Sequence, residues 1–133
     1  MNMKEYFENT AGRGVLATAD NEGKVDAAIY SAPHVLEDGV VAFIMRDRLS
    51  HHNVQKNPHA NFLFIEGGSA SHGVRLFLKK IKEETDAAKI KSLMRRHLTP
   101  EEDQARGPTF LVSFAVEKVL PLVGDDPAKI PFC

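Results

Sequence analysis

The chain has 133 residues and a formal net charge of -1, from 17 Lys+Arg against 18 Asp+Glu; this leaves no broad basic field for nucleic acid and no strongly acidic shell. With 43% hydrophobic and 26% charged residues the composition is that of an ordinary globular chain, and the length suits one domain, 1–133. The lone Cys133 excludes an intrachain disulfide framework and a cysteine-based zinc site, and it fits a reducing compartment.

No stretch is apolar for the ~20 residues a membrane helix needs. The start, Met1-Asn2-Met3-Lys4-Glu5-Tyr6, lacks the apolar core of a signal peptide. The expectation is a cytoplasmic protein with no membrane contact. A core this small leaves little room for an internal cavity, which points a large ligand to a surface cleft or to a boundary between subunits.

A short helix opens the chain. Asn2 is placed to cap it, Glu5 follows three positions on, and Tyr6 and Phe7 give it an apolar side. Strand patterns follow over Gly14–Ala19 and Val25–Ser31, separated by the turn Asp20-Asn21-Glu22-Gly23. Glu37-Asp38-Gly39 is a further hairpin turn, and Val40–Met45 reads as a buried strand. These three strands are expected to form an antiparallel meander.

Ser50–Asn57 reads as a short helix closed by Pro58. Ala60–Ile65 and Val74–Ile81 are strands, the second with Val74, Leu76 and Leu78 on one face. Thr85–Leu98 carries the helical spacing Ile90, Leu93, Met94, His97, Leu98, with Thr85 at its cap and Arg95, Arg96 and His97 in its last turn. Thr109–Leu120 is a long last strand, and two prolines keep the tail from Asp126 to Cys133 irregular. Six strands with only two helical crossovers favour a mainly β, antiparallel barrel over a doubly wound sheet.

Met45-Arg46-Asp47-Arg48-Leu49-Ser50-His51-His52-Asn53-Val54 concentrates the chemistry. A strand ends, two arginines follow, and Ser50 can cap a helix with Leu49 and Val54 at staple positions. Free N–H groups at that helix start, beside Arg46, Arg48, Ser50 and His51, suit a phosphate. The same residues also fit a plain capped helix with solvated arginines. His51 and His52 are adjacent, so they point about 100° apart on a helix and make a poor metal pair. No GxSxG elbow occurs. Gly67-Gly68-Ser69-Ala70-Ser71-His72-Gly73 matches neither a Walker loop nor GxGxxG, which leaves it a hairpin loop. Tyr30 and Ser31 end the second strand near those arginines, where an aromatic and a hydroxyl suit a flat heteroaromatic ligand. An ordinary half-exposed tyrosine is the plainer reading.

The stretch Arg46–Ala60, with its Asn53-Val54 and Asn57-Pro58 pairs, resembles the pyridoxamine 5′-phosphate oxidase-like FMN-binding split-barrel family. Gly14–Ala19, the acidic-Gly turn and Val25–Tyr30 resemble that family's first hairpin. The resemblance implies a six-stranded split barrel, a homodimer with FMN in clefts at the subunit interface, and a flavin-dependent oxidoreductase or electron carrier acting on a small molecule or redox partner. By position it implies that Arg46, Arg48, Ser50 and His51 hold the FMN phosphate and that Asn53 braces the turn. Ala28, Ile29, Tyr30 and Ser31 would line the ring side with Ile44 and Met45 beneath, and Arg75 would be a further ligand-facing cation. The ending Ile130-Pro131-Phe132-Cys133 lacks the basic segment that grips pyridoxal phosphate in the vitamin oxidases, which argues against that exact activity. A haem- or deazaflavin-binding module on the same fold is the alternative. No side chain stands out as an acid–base catalyst.

Overall fold

A computed structural model describes residues 1–133. The first helix, α1 (Met3–Asn9), starts with the expected capping box: Asn2 accepts from the Glu5 N–H at 2.9 Å and Glu5 reaches back to the Asn2 N–H. Its Tyr6 and Phe7 are buried against Phe64 and Phe132, in edge-on or tilted pairs. Seven strands follow, interrupted by helices: β1 (Gly12–Ala19), β2 (Val25–Tyr30), β3 (His34–Glu37), β4 (Val40–Arg46), α2 (Leu49–Lys56), β5 (His59–Glu66), β6 (Gly73–Glu84), α3 (Ala87–Leu93), α4 (Pro100–Ala105), β7 (Thr109–Pro121) and a single 3-10 turn at Pro127–Lys129.

All neighbours in the sheet are antiparallel, in the order β2-β1-β5-β6-β7-β4-β3. The mainly β, antiparallel architecture is the one the alternation patterns point to, with one strand more than the six expected. The extra strand, β3, has four residues and follows Pro33, too short to leave a periodic signature. The meander is corrected: β2 bonds only β1, while β4 lies between β7 and β3. The sheet therefore has two edges, β2 and β3, joined by the short run Ser31–Pro33. Tyr30 packs edge-on against Phe43 of β4, with ring centroids 5.7 Å apart. The sheet thus curls back on itself and leaves a seam where side chains meet without a hydrogen-bond ladder.

The interior is filled by Leu16, Met45, Phe62, Phe64, Val74, Leu76, Leu78, Val112 and Phe114. Gly14 is required here, because a Cβ would overlap the ring of Phe62. On the outer face, Ile90 of α3 covers Ala42 and Leu111 in a second, small cluster. That is why Leu111–Phe114 are buried on both sides of β7.

Three local expectations change. The helix expected over 85–98 is two helices, with Asp86 and not Thr85 as the first cap. Met94 leaves the helix in an extended conformation (φ -64°, ψ 129°), and Thr99-Pro100 starts α4 with its own capping box. Tertiary contacts of Arg95 with the Ala32 and Pro33 carbonyls draw the chain away from the helical path. Arg48, not Ser50, is the N-cap of α2, and no side chain caps it. Ser50 is buried and Leu49 is exposed, so no staple closes over Val54.

Candidate functional site

Alternation along β4 turns Phe43 and Met45 into the core and leaves Ala42, Ile44 and Arg46 on the face that looks across the seam. Two hollows lie there and share Ile29, Tyr30, Ile44 and Arg46. One, of about 320 Å³, reaches Ala28 of β2 and Arg48, Leu49 and Ser50 at the start of α2. The other, of about 330 Å³, reaches Ser31 and His34 and is roofed by Met94, Arg95, Arg96, Leu98 and Arg106.

The α2 end of the cleft is rich in donors and carries Arg48 together with one lining carboxylate, Asp26. The first-turn N–H groups of a helix have no internal acceptor, and here no side chain takes them. Arg48 is exposed beside them and Ser50 lies against Tyr30. Burial raises the Tyr30 pKa, while the Ser50 hydrogen bond and the Arg48 charge act against the rise and Asp26 adds to it. The phenol therefore stays protonated, a donor at the floor of the cleft.

Arg46 lines both hollows, but its guanidinium is engaged. It donates to Gly107 O at 2.7 Å and pairs with Asp103 Oδ1 at 2.9 Å, and so fastens α4 over the cleft. Ala28, Ile29, Tyr30, Ser31, Ile44, Arg46, Arg48 and Ser50 are brought together as lining residues. Four other residues singled out in the sequence sit elsewhere. Met45 is wholly buried in the core. Asn53 is buried and donates to Thr18 Oγ1 at 3.0 Å, which ties α2 to β1. Arg75 spans from β6 to the Pro121 and Gly124 carbonyls, away from the seam.

His51 turns under α2, stacked on Phe110 at 3.8 Å, with Nε2 3.0 Å from Glu83. Burial opposes the Glu83 charge, but hydrogen bonds from His51, Gln55 and Lys80 prevail and hold its pKa down to about 2. This network anchors the helix whose N-terminus faces the cleft. His52 points outward to Asp47 at 2.8 Å, and no three His, Cys, Asp or Glu side chains gather as a metal cluster.

The pyridoxamine 5′-phosphate oxidase family model matches residues 3–122. The chain belongs to that family. No curated protein matches it by sequence. An FMN-binding protein of Syntrophomonas wolfei shares its fold at a TM-score of 0.71 and 15% identity, covering 91% of this chain and 84% of that one. HupZ of Group A Streptococcus shares it at 0.65 and 18% identity, covering 90% of each. An F420 reductase does so at 0.67 and 13% identity, covering 90% of this chain and 97% of that one. The seam between β2 and β4 is thus the split of a split barrel.

Inside this family member, the sequence reasoning missed His34 and the roof residues Met94, Arg95, Arg96, Leu98 and Arg106. Burial and the nearby Arg95 charge lower the His34 pKa to about 4. The available signal was the basic run at 95–97, which helix-dipole reasoning had accounted for.

Proposed function

We propose that this chain is an FMN-binding flavoprotein of the split-barrel type, acting as an oxidoreductase or electron carrier. The carrying observation is the cleft in which the uncapped N-terminus of α2, Arg48 and Ser50 lie beside the mostly apolar strip Ala28, Ile29, Tyr30 and Ile44. Such a cleft suits a phosphate at one end and a planar ring at the other. Arg48 and the first-turn N–H groups would hold the phosphate, Ser50 and Tyr30 the polar chain, and Ile29 and Ile44 the ring. Bound flavin supplies hydride or single-electron transfer; the protein orients it and excludes water.

A second copy completes the site in this reading. β2 is an unpaired edge whose Val25 and Ile29 are 83% and 80% exposed, and Leu49 beside it is 56% exposed. An apolar edge of this kind calls for a cover. The expected assembly is a homodimer with the cofactor between subunits.

The test is an absorbance spectrum of the purified protein, followed by FMN titration read by flavin fluorescence. Stoichiometric yellow flavin is expected. Arg48→Ala should weaken FMN by roughly 10- to 100-fold, the size of a lost charge-assisted hydrogen bond. No FMN retention at micromolar concentration sinks the reading. Haem is the second reading because one neutral imidazole, His34, faces the cleft. A Soret band that disappears in His34→Ala would select it. A deazaflavin would be recognised by tight binding of the deazaflavin where FMN binds weakly.

A further inference from the structure

The hollow roofed by residues 94–106 holds a charge imbalance that the cofactor reading leaves unexplained. Arg95, Arg96 and Arg106 all line it, together with Arg46, and no acidic residue does. Arg46 is neutralised by Asp103. No carboxylate comes within 4.0 Å of Arg95, Arg96 or Arg106. Glu102 is the carboxylate that Arg106 and Arg96 influence, and it is already occupied in the Thr99 capping box.

The ordinary explanation for arginines at this place is a helix C-terminus. It does not apply, because α3 ends at Leu93 with Met94 as its cap, so Arg95 and Arg96 lie beyond the last turn. Arg95 is instead fixed by the Ala32 carbonyl at 2.7 Å, which pins the roof to the β2–β3 connection. His34 beside it is held neutral, by burial first and by the Arg95 charge second. The rest of the wall is mostly apolar, with Ile29, Ile44, Met94 and Leu98 beside the polar Tyr30, Ser31 and His34.

We propose that the segment between β6 and β7 builds a second anion site over the seam. There Arg96 and Arg106 receive the carboxylate or phosphate of a small ligand whose apolar body lies on Met94 and Leu98, while Arg95 holds the roof in place. This site is separate from the phosphate cradle at α2. It rests on the cofactor reading in one respect only: with flavin bound, the ligand in this hollow is the substrate. The substrate class is then a small apolar anion. Arg96 and Arg106 are exposed at the rim with no carboxylate in reach, and two such unpaired cations beside a partly apolar hollow attract an anion. A neutral compound of the same shape leaves their repulsion unrelieved.

The test uses the full chain, with and without saturating FMN, titrated with benzoate, phenyl phosphate and benzamide. The His34 ring signal, identified by its loss in His34→Gln, is followed by NMR, and flavin fluorescence is read in parallel. Benzoate or phenyl phosphate should shift the His34 signal, raise its pKa by one unit or more, and bind at least tenfold more tightly than benzamide. The stronger of the two anions tells carboxylate from phosphate. The double variant Arg96→Gln/Arg106→Gln should lose at least tenfold in anion affinity. The exposed Lys91→Gln, on the same segment, should change neither ligand.

Benzamide binding as tightly as benzoate overturns the proposal, as does a folded double variant with unchanged anion affinity. If the double variant does not fold, Arg96→Lys and Arg106→Lys singly should retain measurable anion binding with weaker affinity; unchanged affinity in both overturns it. Competition between benzoate and FMN for one site also overturns it, because the arginines would then belong to the cofactor. Anion binding that shifts His34 in a protein with no FMN affinity sinks the cofactor reading and leaves this site standing.

Discussion

The barrel and the segment from 85 to 108 are built on different terms. The barrel places large apolar side chains on alternating positions of long paired strands, so each contact is supported by several neighbours. The segment has two short helices and is held by Ile90 in a three-residue cluster, by Arg95 on two carbonyls and by Arg46 on Asp103 and Gly107. The barrel defines where the cleft is, and the segment defines what its second half is lined with. The lining of that half can therefore change at little cost to the fold.

The largest expected effect comes from emptying the barrel. Phe62 is wholly buried and packs on Phe7, Phe43 and Phe64. Phe62→Ala should cost about 3–5 kcal/mol in global stability, measured by urea unfolding. Ile90→Ala also leaves a buried hole, but its loss should appear as faster amide exchange confined to residues 86–106. Equal losses of global stability from both variants would mean that the segment unfolds with the barrel, which removes the contrast.

Acid provides a second separation. His34, at the segment, has its pKa lowered to about 4 from an ordinary value near 6.5. The unfolded chain takes up that proton first, so the stabilisation is complete above pH 6.5 and is lost as pH falls from there through 4. Glu83, which ties β6 to α2, has a pKa of about 2. Its contribution is complete above the ordinary carboxylate value and is lost as pH falls through 2. Each is worth on the order of 1–2 kcal/mol after solvent screening. A stability profile of His34→Gln should lack the upper step alone, and Glu83→Gln the lower step alone. A profile in which both steps survive both variants would remove these residues from the account.

The contrast also marks how far sequence reasoning reaches. Val74, Leu76 and Leu78 share a face in the sequence and are all buried in the structure, because strand alternation is a local rule that the sheet enforces. Arg48 and Ser50 were visible because a strand end, cations and a helix start adjoin along the chain. The helical spacing from Ile90 to Leu98 misled, because Arg95 finds its partners 63 and 62 residues away, at Ala32 and Pro33. Nothing local encodes that contact. His34 was hidden for the same reason: its strand is four residues long, and its neighbour Arg95 arrives from the far end of the fold.

The smallest effect tests the fastening of the roof itself. Arg46 is mostly covered at 15% exposure while Asp103 is 53% exposed, so the pair sits at the boundary where a salt bridge is worth about 0.5–1 kcal/mol and is screened by salt. Asp103→Asn keeps the shape and removes the charge. Amide exchange over residues 99–107 should quicken by roughly fivefold or less, with the urea midpoint unchanged. The Arg46 bond to the Gly107 carbonyl survives this substitution, so Arg46→Ala should loosen the same residues further than Asp103→Asn does. If Asp103→Asn instead shifts the global midpoint by more than 1 kcal/mol, α4 is part of the cooperative barrel and the roof is no independent element.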